Sequence, residues 1–248
     1  MSFRAWALSG ALIVVAAASA SAQAPEGYLR VEAVDAVRLA GPPPAAGSPE
    51  EAADIAAYRA GAAGAGTERW AQARADDAID MPTVLKRYAC AIDAELTPES
   101  APNTVRLLSR TLADADAISS VAKKHYLRPR PFAADDPTTP LCVDIPAERR
   151  ARTSTTFPSG HATVGTVWGG VLTDIAPDRR EQIAARSRFF VDSRRVCRLH
   201  YPSDLAAGER VGAAVHAALS ANPDYQRDVR LARAEVAAAP KPKDCPAG

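Results

Sequence analysis

Several absences narrow the reading of this 248-residue chain before any motif is considered. Thirty basic residues stand against 29 acidic ones, a formal charge of +1, so no whole-molecule field draws the chain to nucleic acid or to an anionic membrane surface. Any selectivity for anions must therefore be local. Beyond the N-terminal segment no apolar run is long enough to cross a bilayer, which takes about 20 residues. No two of the four cysteines, Cys90, Cys142, Cys197 and Cys245, lie within metal-ligand spacing, which argues against zinc. Nor does the sequence carry a carboxylate cluster suited to magnesium or to a two-metal centre, so no metal or other cofactor is expected. Strand-like alternation is scarce, and no internal repeat is present.

What the chain does have begins with a basic start (Met1 to Arg4), an apolar stretch from Ala5 to Ala18, and Ala20-Ser21-Ala22 as a small-x-small cleavage site. Residues 1–22 read as a signal peptide. A membrane anchor, the competing reading, needs a longer apolar run and stronger flanks. The expectation is a soluble, exported protein without stable membrane insertion, periplasmic in a Gram-negative cell. Export makes the four cysteines candidates for disulfides. Four cysteines permit three complete pairings, and spacing does not choose among them. For Cys197 a small buried hydrophobe is as good a reading as a bridge.

Residues 23–47 are rich in Pro, Ala and Gly and read as an extended or wrapping arm. Ser48-Pro49-Glu50-Glu51 is a helix start with Pro just inside the cap, and from there to about residue 236 the composition is helical, with a hydrophobic fraction of 47% ample for a core. Apolar residues at Val105, Leu108, Leu112, Ala115 and Ile118 recur at three- and four-residue steps, predicting an amphipathic helix that leads to Lys123, with start signals at Thr97-Pro98-Glu99 and Asn103. A second helix should begin in Pro158-Ser159-Gly160-His161 and run through Leu172. A third follows Pro177 and carries Ile183, Phe189 and Phe190 towards Ser193. The last long one starts near Pro202 and passes Val211 and Val215. Residues 132–157, heavy in Pro, Asp and Thr, form the main irregular connection and a candidate rim or lid. Residues 237–248 read as a loose tail unless Cys245 staples them down.

Three separated clusters carry chemistry. A helix N-terminus at Ser159-Gly160-His161 would offer unpaired N–H groups and the positive end of the macrodipole, with Gly160 permitting close approach of a ligand: a seat for phosphate. His200 should stand at the start of the helix opened by Pro202, with Asp204 about one turn on and within reach of an imidazole N–H. A carboxylate there would fix the tautomer and leave the other nitrogen as a nucleophile. Arg130 and Arg194 can clamp phosphoryl oxygens, and Lys123 adds a compact charge. Arg128, Arg195 and Arg198 are as well read as solvated or paired.

Taken jointly, Lys123 with Arg130-Pro131, then Pro158-Ser159-Gly160-His161, then Ser193-Arg194 with His200 and Asp204 resemble the three-part signature of the type 2 phosphatidic acid phosphatase (PAP2) superfamily. The run Lys123-Lys124-His125-Tyr126, Arg130-Pro131-Phe132 and Val196-Cys197 are particularly similar to the bacterial class A acid phosphatases. The resemblance spans about residues 48 to 220. It implies an all-α, single-domain bundle over 48–236 that hydrolyses small phosphomonoesters without a metal. His200 would be the nucleophile that forms a phosphohistidine, Asp204 its orienting carboxylate and His161 the acid and base. Lys123, Arg130, Ser159, Gly160 and Arg194 would hold the phosphate, and the assembly would be a homo-oligomer, most simply a dimer.

Three positions depart from the usual class A pattern: Tyr201 for Trp, Arg198 for a small residue, and Ala162 for Thr after the histidine. Arg198 reads as an extra anion contact or a surface charge. His125 is structural or substrate-lining, and His216 structural. A vanadate-dependent haloperoxidase, a lipid phosphatase and a phosphoester binder without turnover remain as alternatives. The preferred ester, transferase or diphosphatase activity, the disulfide connectivity and the oligomeric state are not legible.

Overall fold

A computed structural model describes residues 26–134, 138–146 and 155–245. The predicted signal peptide, residues 135–137 and 147–154 of the predicted rim, and the last three residues of the tail lie outside them. The described residues form nine α-helices and no strand: α1 (Ala36–Ala40), α2 (Pro49–Ala60), α3 (Glu68–Ala75), α4 (Met81–Ile92), α5 (Pro102–Tyr126), α6 (Gly160–Ile175), α7 (Arg180–Val196), α8 (Pro202–Ser220) and α9 (Pro223–Ala238). The protein is all-α.

Helix α6 is the axis of the bundle, packed by α5, α7, α8 and α9. Apart from His161 near its start and Asp174 near its end it carries no ionisable side chain, and a helix apolar nearly all round has to be surrounded. Trp168 is fully buried at its centre, with its indole N–H donating to Leu108 O at 3.1 Å. Truncating it to alanine would cost about 3–5 kcal/mol. Helix α8 lies so close to α6 that a Cβ on Gly208 would stand 2.5 Å from Ser159 O, and one on Gly212 2.6 Å from Thr163 O. Those two glycines let the N-terminal ends of α6 and α8 meet, and that junction is where the chemical clusters converge.

The start at Ser48-Pro49 is as expected: Ser48 Oγ accepts from Glu51 N, and Pro49 is the first helical residue. Helix α5 begins at Pro102, next to the Asn103 signal and after the one at Thr97-Pro98-Glu99, where Thr97 and Ser100 bond each other in a separate turn. The helix from Pro202 is not the last one. It ends at Ser220, and Asn222 caps α9, its side chain accepting from the N–H groups of Asp224 and Tyr225. An Asn-Pro pair supplies both a cap and a first-turn proline, so it restarts a helix rather than ending the domain.

The described part of the N-terminal arm wraps the bundle. Tyr28 N and Leu29 N both donate to the Asp114 carboxylate at 2.9 Å, Tyr126 Oη donates to Val37 O at 2.9 Å, and Arg210 Nε donates to Leu39 O at 3.0 Å. The cysteines pair as Cys90–Cys245 and Cys142–Cys197. The first staples the tail to α4; the second ties the predicted rim to the end of α7, with Cys197 both bridged and buried. Closing loops of 155 and 55 residues removes unfolded-state entropy worth about 2–5 kcal/mol each. Among the described residues no helix is long and apolar enough to cross a membrane.

Candidate active site

Ser159 caps α6 by accepting from Ala162 N at 3.3 Å, and its own N–H donates to Asp204 O at 2.9 Å. The phosphate-seat turn is thus bonded directly to the first turn of α8. Lys123, in the last turn of α5, reaches the same turn: its Nζ donates to Pro158 O at 2.5 Å, and Gly160 has only the Lys123 stem opposite its missing Cβ, with Cε 3.6 Å from where one would stand.

His200 is buried just ahead of α8, and its hydrogen bonds determine its tautomer. Arg130 Nη1, which can only donate, lies 2.7 Å from His200 Nε2. On the other side Thr156 Oγ1 is 2.9 Å from His200 Nδ1 and 2.6 Å from Asp204 Oδ2. An ionised carboxylate only accepts, so the threonine proton points to Asp204 and its oxygen takes the Nδ1–H. Both ends require the neutral Nδ1–H form with a lone pair on Nε2. The expected direct reach from Asp204 to the imidazole is replaced by this hydroxyl bridge, Nδ1 and Oδ2 being 3.4 Å apart. Asp204 is further held by Tyr201 N at 2.9 Å and by Arg128 Nη1 at 2.8 Å, and Arg128 also grips Asp54 at 2.9 Å.

His161 sits one residue into α6, stacked near Phe190 with ring centroids 6.0 Å apart. Its Nε2 lies 3.2 Å from Asp77 O; a carbonyl only accepts, so Nε2 carries the hydrogen and Nδ1 is left to exchange a proton. The same Asp77 binds Arg194 Nη1 through its carboxylate at 2.5 Å. Its neighbour Asp76 is buried among Arg87 Nη1 at 3.0 Å, Arg186, and Ser193 Oγ at 2.7 Å.

Lys123, Arg130, Gly160, His161 and His200 line one cavity of about 780 Å³. Crowded, desolvated cations make it strongly electropositive. Burial, then the charge of Arg130, lowers Lys123 to about 8; burial, then Arg194, lowers Arg130 to about 10. Burial and the charges of Arg130, Lys123 and Arg194 keep His200 well below its ordinary value, hence neutral. His161 is taken to about 3 by burial and Arg194, against the pull of Asp77. Burial pushes Asp204 up, opposed by Arg128 and Thr156. Among the described residues, the Nε atoms of Arg130 and Arg194 are buried without a hydrogen-bond partner, two donors that suit an anion with several oxygens. No group of three or more His, Cys, Asp or Glu able to hold a metal occurs among the described residues.

Residues 105–228 match the PAP2 superfamily. Over 195 residues the chain is 34% identical to an acid phosphatase of Zymomonas mobilis, covering 79% of this chain and 73% of that one. It is 32% identical over 196 residues to a non-specific acid phosphatase of Salmonella typhimurium (79% and 77% covered), and 31% identical over 207 residues to one of Providencia stuartii (83% and 82%). The chain belongs to the PAP2 superfamily.

Of the eight residues that the resemblance assigns to catalysis or phosphate binding, five line the cavity, while Ser159, Arg194 and Asp204 are buried and are not among its lining residues. Ser159 uses its hydroxyl as a helix cap. Arg198 is corrected: it is not a surface charge but is buried, donating to Tyr58 O at 3.2 Å and Pro140 O at 3.0 Å, and it is not among the cavity-lining residues. Tyr201 stacks under the Arg128 guanidinium at 4.3 Å. His125 packs edge-on against Tyr126 and is not among the cavity-lining residues. Sequence reading missed Thr156, Asp54, Asp76 and Asp77, and left Arg128 open. The Asp76-Asp77 pair was the one visible signal, since adjacent acids amid so many arginines need partners.

Proposed function

We propose that this PAP2 chain is an exported acid phosphatase that hydrolyses a broad range of phosphomonoesters without a metal, through a phosphohistidine on His200. The observation that carries the proposal is the meeting of a neutral, Nδ1–H His200 with Lys123, Arg130 and His161 on one electropositive cavity. A phosphate dianion bound there would draw Arg130 and Lys123 onto its oxygens, freeing the Nε2 lone pair. Its charge would also offset the cations around His161 and raise that histidine towards the working range.

His200 Nε2 then attacks phosphorus as the ester P–O bond breaks, and His161 Nδ1 passes its proton to the leaving oxygen. The positive charge that develops on His200 is stabilised through Thr156 by Asp204, which Arg128 holds in place. In the second step His161 takes a proton from water, whose oxygen attacks phosphorus as the N–P bond breaks. Lys123, Arg130, Arg194 and the α6 N-terminus stabilise the equatorial oxygens throughout. The similarity to curated acid phosphatases supports this reaction class. In the same proposal residues 1–22 are the export signal, 23–47 the arm, 48–236 the catalytic domain and 237–248 the tail, with a homodimer as the simplest assembly.

The test is phosphate release from p-nitrophenyl phosphate at mildly acidic pH with excess chelator, for the mature protein and His200→Ala. Turnover that resists chelator and disappears in the variant is expected. Turnover that chelator abolishes, or that survives in His200→Ala, would overturn the mechanism.

A further inference from the structure

The wall of the cavity facing the cations has a different character. It comes from the segment that leads into α4, the middle of α5 and Val164 of α6, with Ile79, Met81, Leu112, Ala113 and Val164 as its apolar surface, and it carries two acids, Asp80 and Asp116. Elsewhere around the site carboxylates are neutralised: Asp54 and Asp204 by Arg128, Asp76 by Arg87 and Arg186, Asp77 by Arg194. Asp80 and Asp116 are exposed, and neither is ion-paired to a basic side chain among the described residues. Asp80 Oδ1 accepts from Thr83 N at 3.0 Å as the cap of α4. The field of Asp116 reaches the site, since it is one of the charges that hold the proton on Lys123.

The cavity lining therefore joins desolvated cations, an apolar surface and two exposed acids. Resting on the phosphatase reading above, we infer that it selects phosphomonoesters whose leaving group has an apolar, aryl-sized body and a cationic rather than an anionic far end. A second negative group on the substrate meets two exposed carboxylates that no basic side chain contacts among the described residues, an ammonium is attracted by them, and the body covers the apolar wall. Asp80 and Asp116 are thus specificity residues that take no part in bond-making.

Three aryl monophosphates of matched phenol acidity provide the test: 4-ethylphenyl phosphate, 4-(2-aminoethyl)phenyl phosphate and 3-(4-phosphonooxyphenyl)propanoate. In the wild-type enzyme kcat/KM should fall in the order cationic, neutral, anionic, spanning about tenfold at low salt and shrinking as salt is added. The double variant Asp80→Asn, Asp116→Asn keeps the helix cap, since asparagine caps as well as aspartate does, and should compress that span to within about twofold; loss of the Asp116 charge loosens the proton on Lys123 for all three esters alike, so the ratio among them is the readout. Equal kcat/KM for the three esters, or a span that survives the double variant, would overturn the inference. Absence of turnover of even the neutral ester would remove the phosphatase reading and this one together, whereas brisk but unselective turnover removes only the selectivity.

Discussion

Two histidine–aspartate pairs stand at opposite ends of α6. His216 Nε2 contacts Asp174 Oδ2 directly at 2.9 Å, a closer approach than the 3.4 Å between His200 and Asp204. Judged by pair geometry alone, His216 would be the better-oriented nucleophile. The surroundings decide otherwise. Asp174 lies in the last turn of α6, at the negative end of the helix dipole, while His200 and Asp204 meet the positive N-terminal end through Ser159. Burial, together with the charges of Arg130 and Lys123 that it faces, keeps His200 neutral with a lone pair on Nε2, whereas Asp174 takes a second hydrogen bond from Tyr225 Oη at 2.6 Å and serves as a packing joint between α6, α8 and α9. A His–Asp pair is therefore common currency, and its place on the helix dipole and among cations makes it reactive or structural.

The largest contrast should come from removing the imidazole itself. His200→Ala is expected to lose at least about a thousandfold in kcat, measured with p-nitrophenyl phosphate in excess substrate. Next, Arg128→Met would leave Asp204 and Asp54 buried without their counterion, costing about 3–5 kcal/mol in urea unfolding and lowering kcat as Asp204 loses its anchor. Thr156→Val breaks the bridge while preserving shape, so kcat should drop about 10- to 100-fold, equivalent to the 1–3 kcal/mol of an unsatisfied buried group, with KM little changed.

Lys123 supplies a pH signature. With its value lowered to about 8, it loses its charge above that pH, and KM should climb on the alkaline side; Lys123→Arg should remove that limb. The linked stability has the opposite sense. The folded state holds the proton less tightly than the unfolded chain, so stability should rise with pH between about 8 and about 10.5, visible as a melting temperature that increases over that window. The smallest effect is His216→Ala, expected to cost about 1 kcal/mol while kcat/KM stays within about twofold. A large loss of activity there would erase the distinction between the two pairs.

The motif residues were legible because their chemistry is local. Ser159-Gly160-His161 reads as a helix start from the chain itself, and Pro202 places Asp204 one turn after His200. Helices α5, α6 and α7 were visible in the spacing of their apolar residues. The restart at Asn222-Pro223 was also written in the chain, although the apolar pattern past Val215 masked it. Asp54, Thr156, Asp76 and Asp77 were not legible, because each acts on a partner 44 to 149 residues away. Arg198 misled for the same reason: a lone arginine looks solvated until Tyr58 and Pro140 are brought over it.

By itself, then, the sequence determined the all-α class, the family signature and five residues that line the cavity, since these depend on contacts within a turn or on residue types at set spacings. Only the tertiary structure decided which cations are neutralised and which are not, that a hydroxyl stands between His200 and Asp204, which of three cysteine pairings forms, and that one wall of the cavity keeps two unpaired acids. Those outcomes depend on which helices touch, and close packing across α6 is set by the whole chain at once.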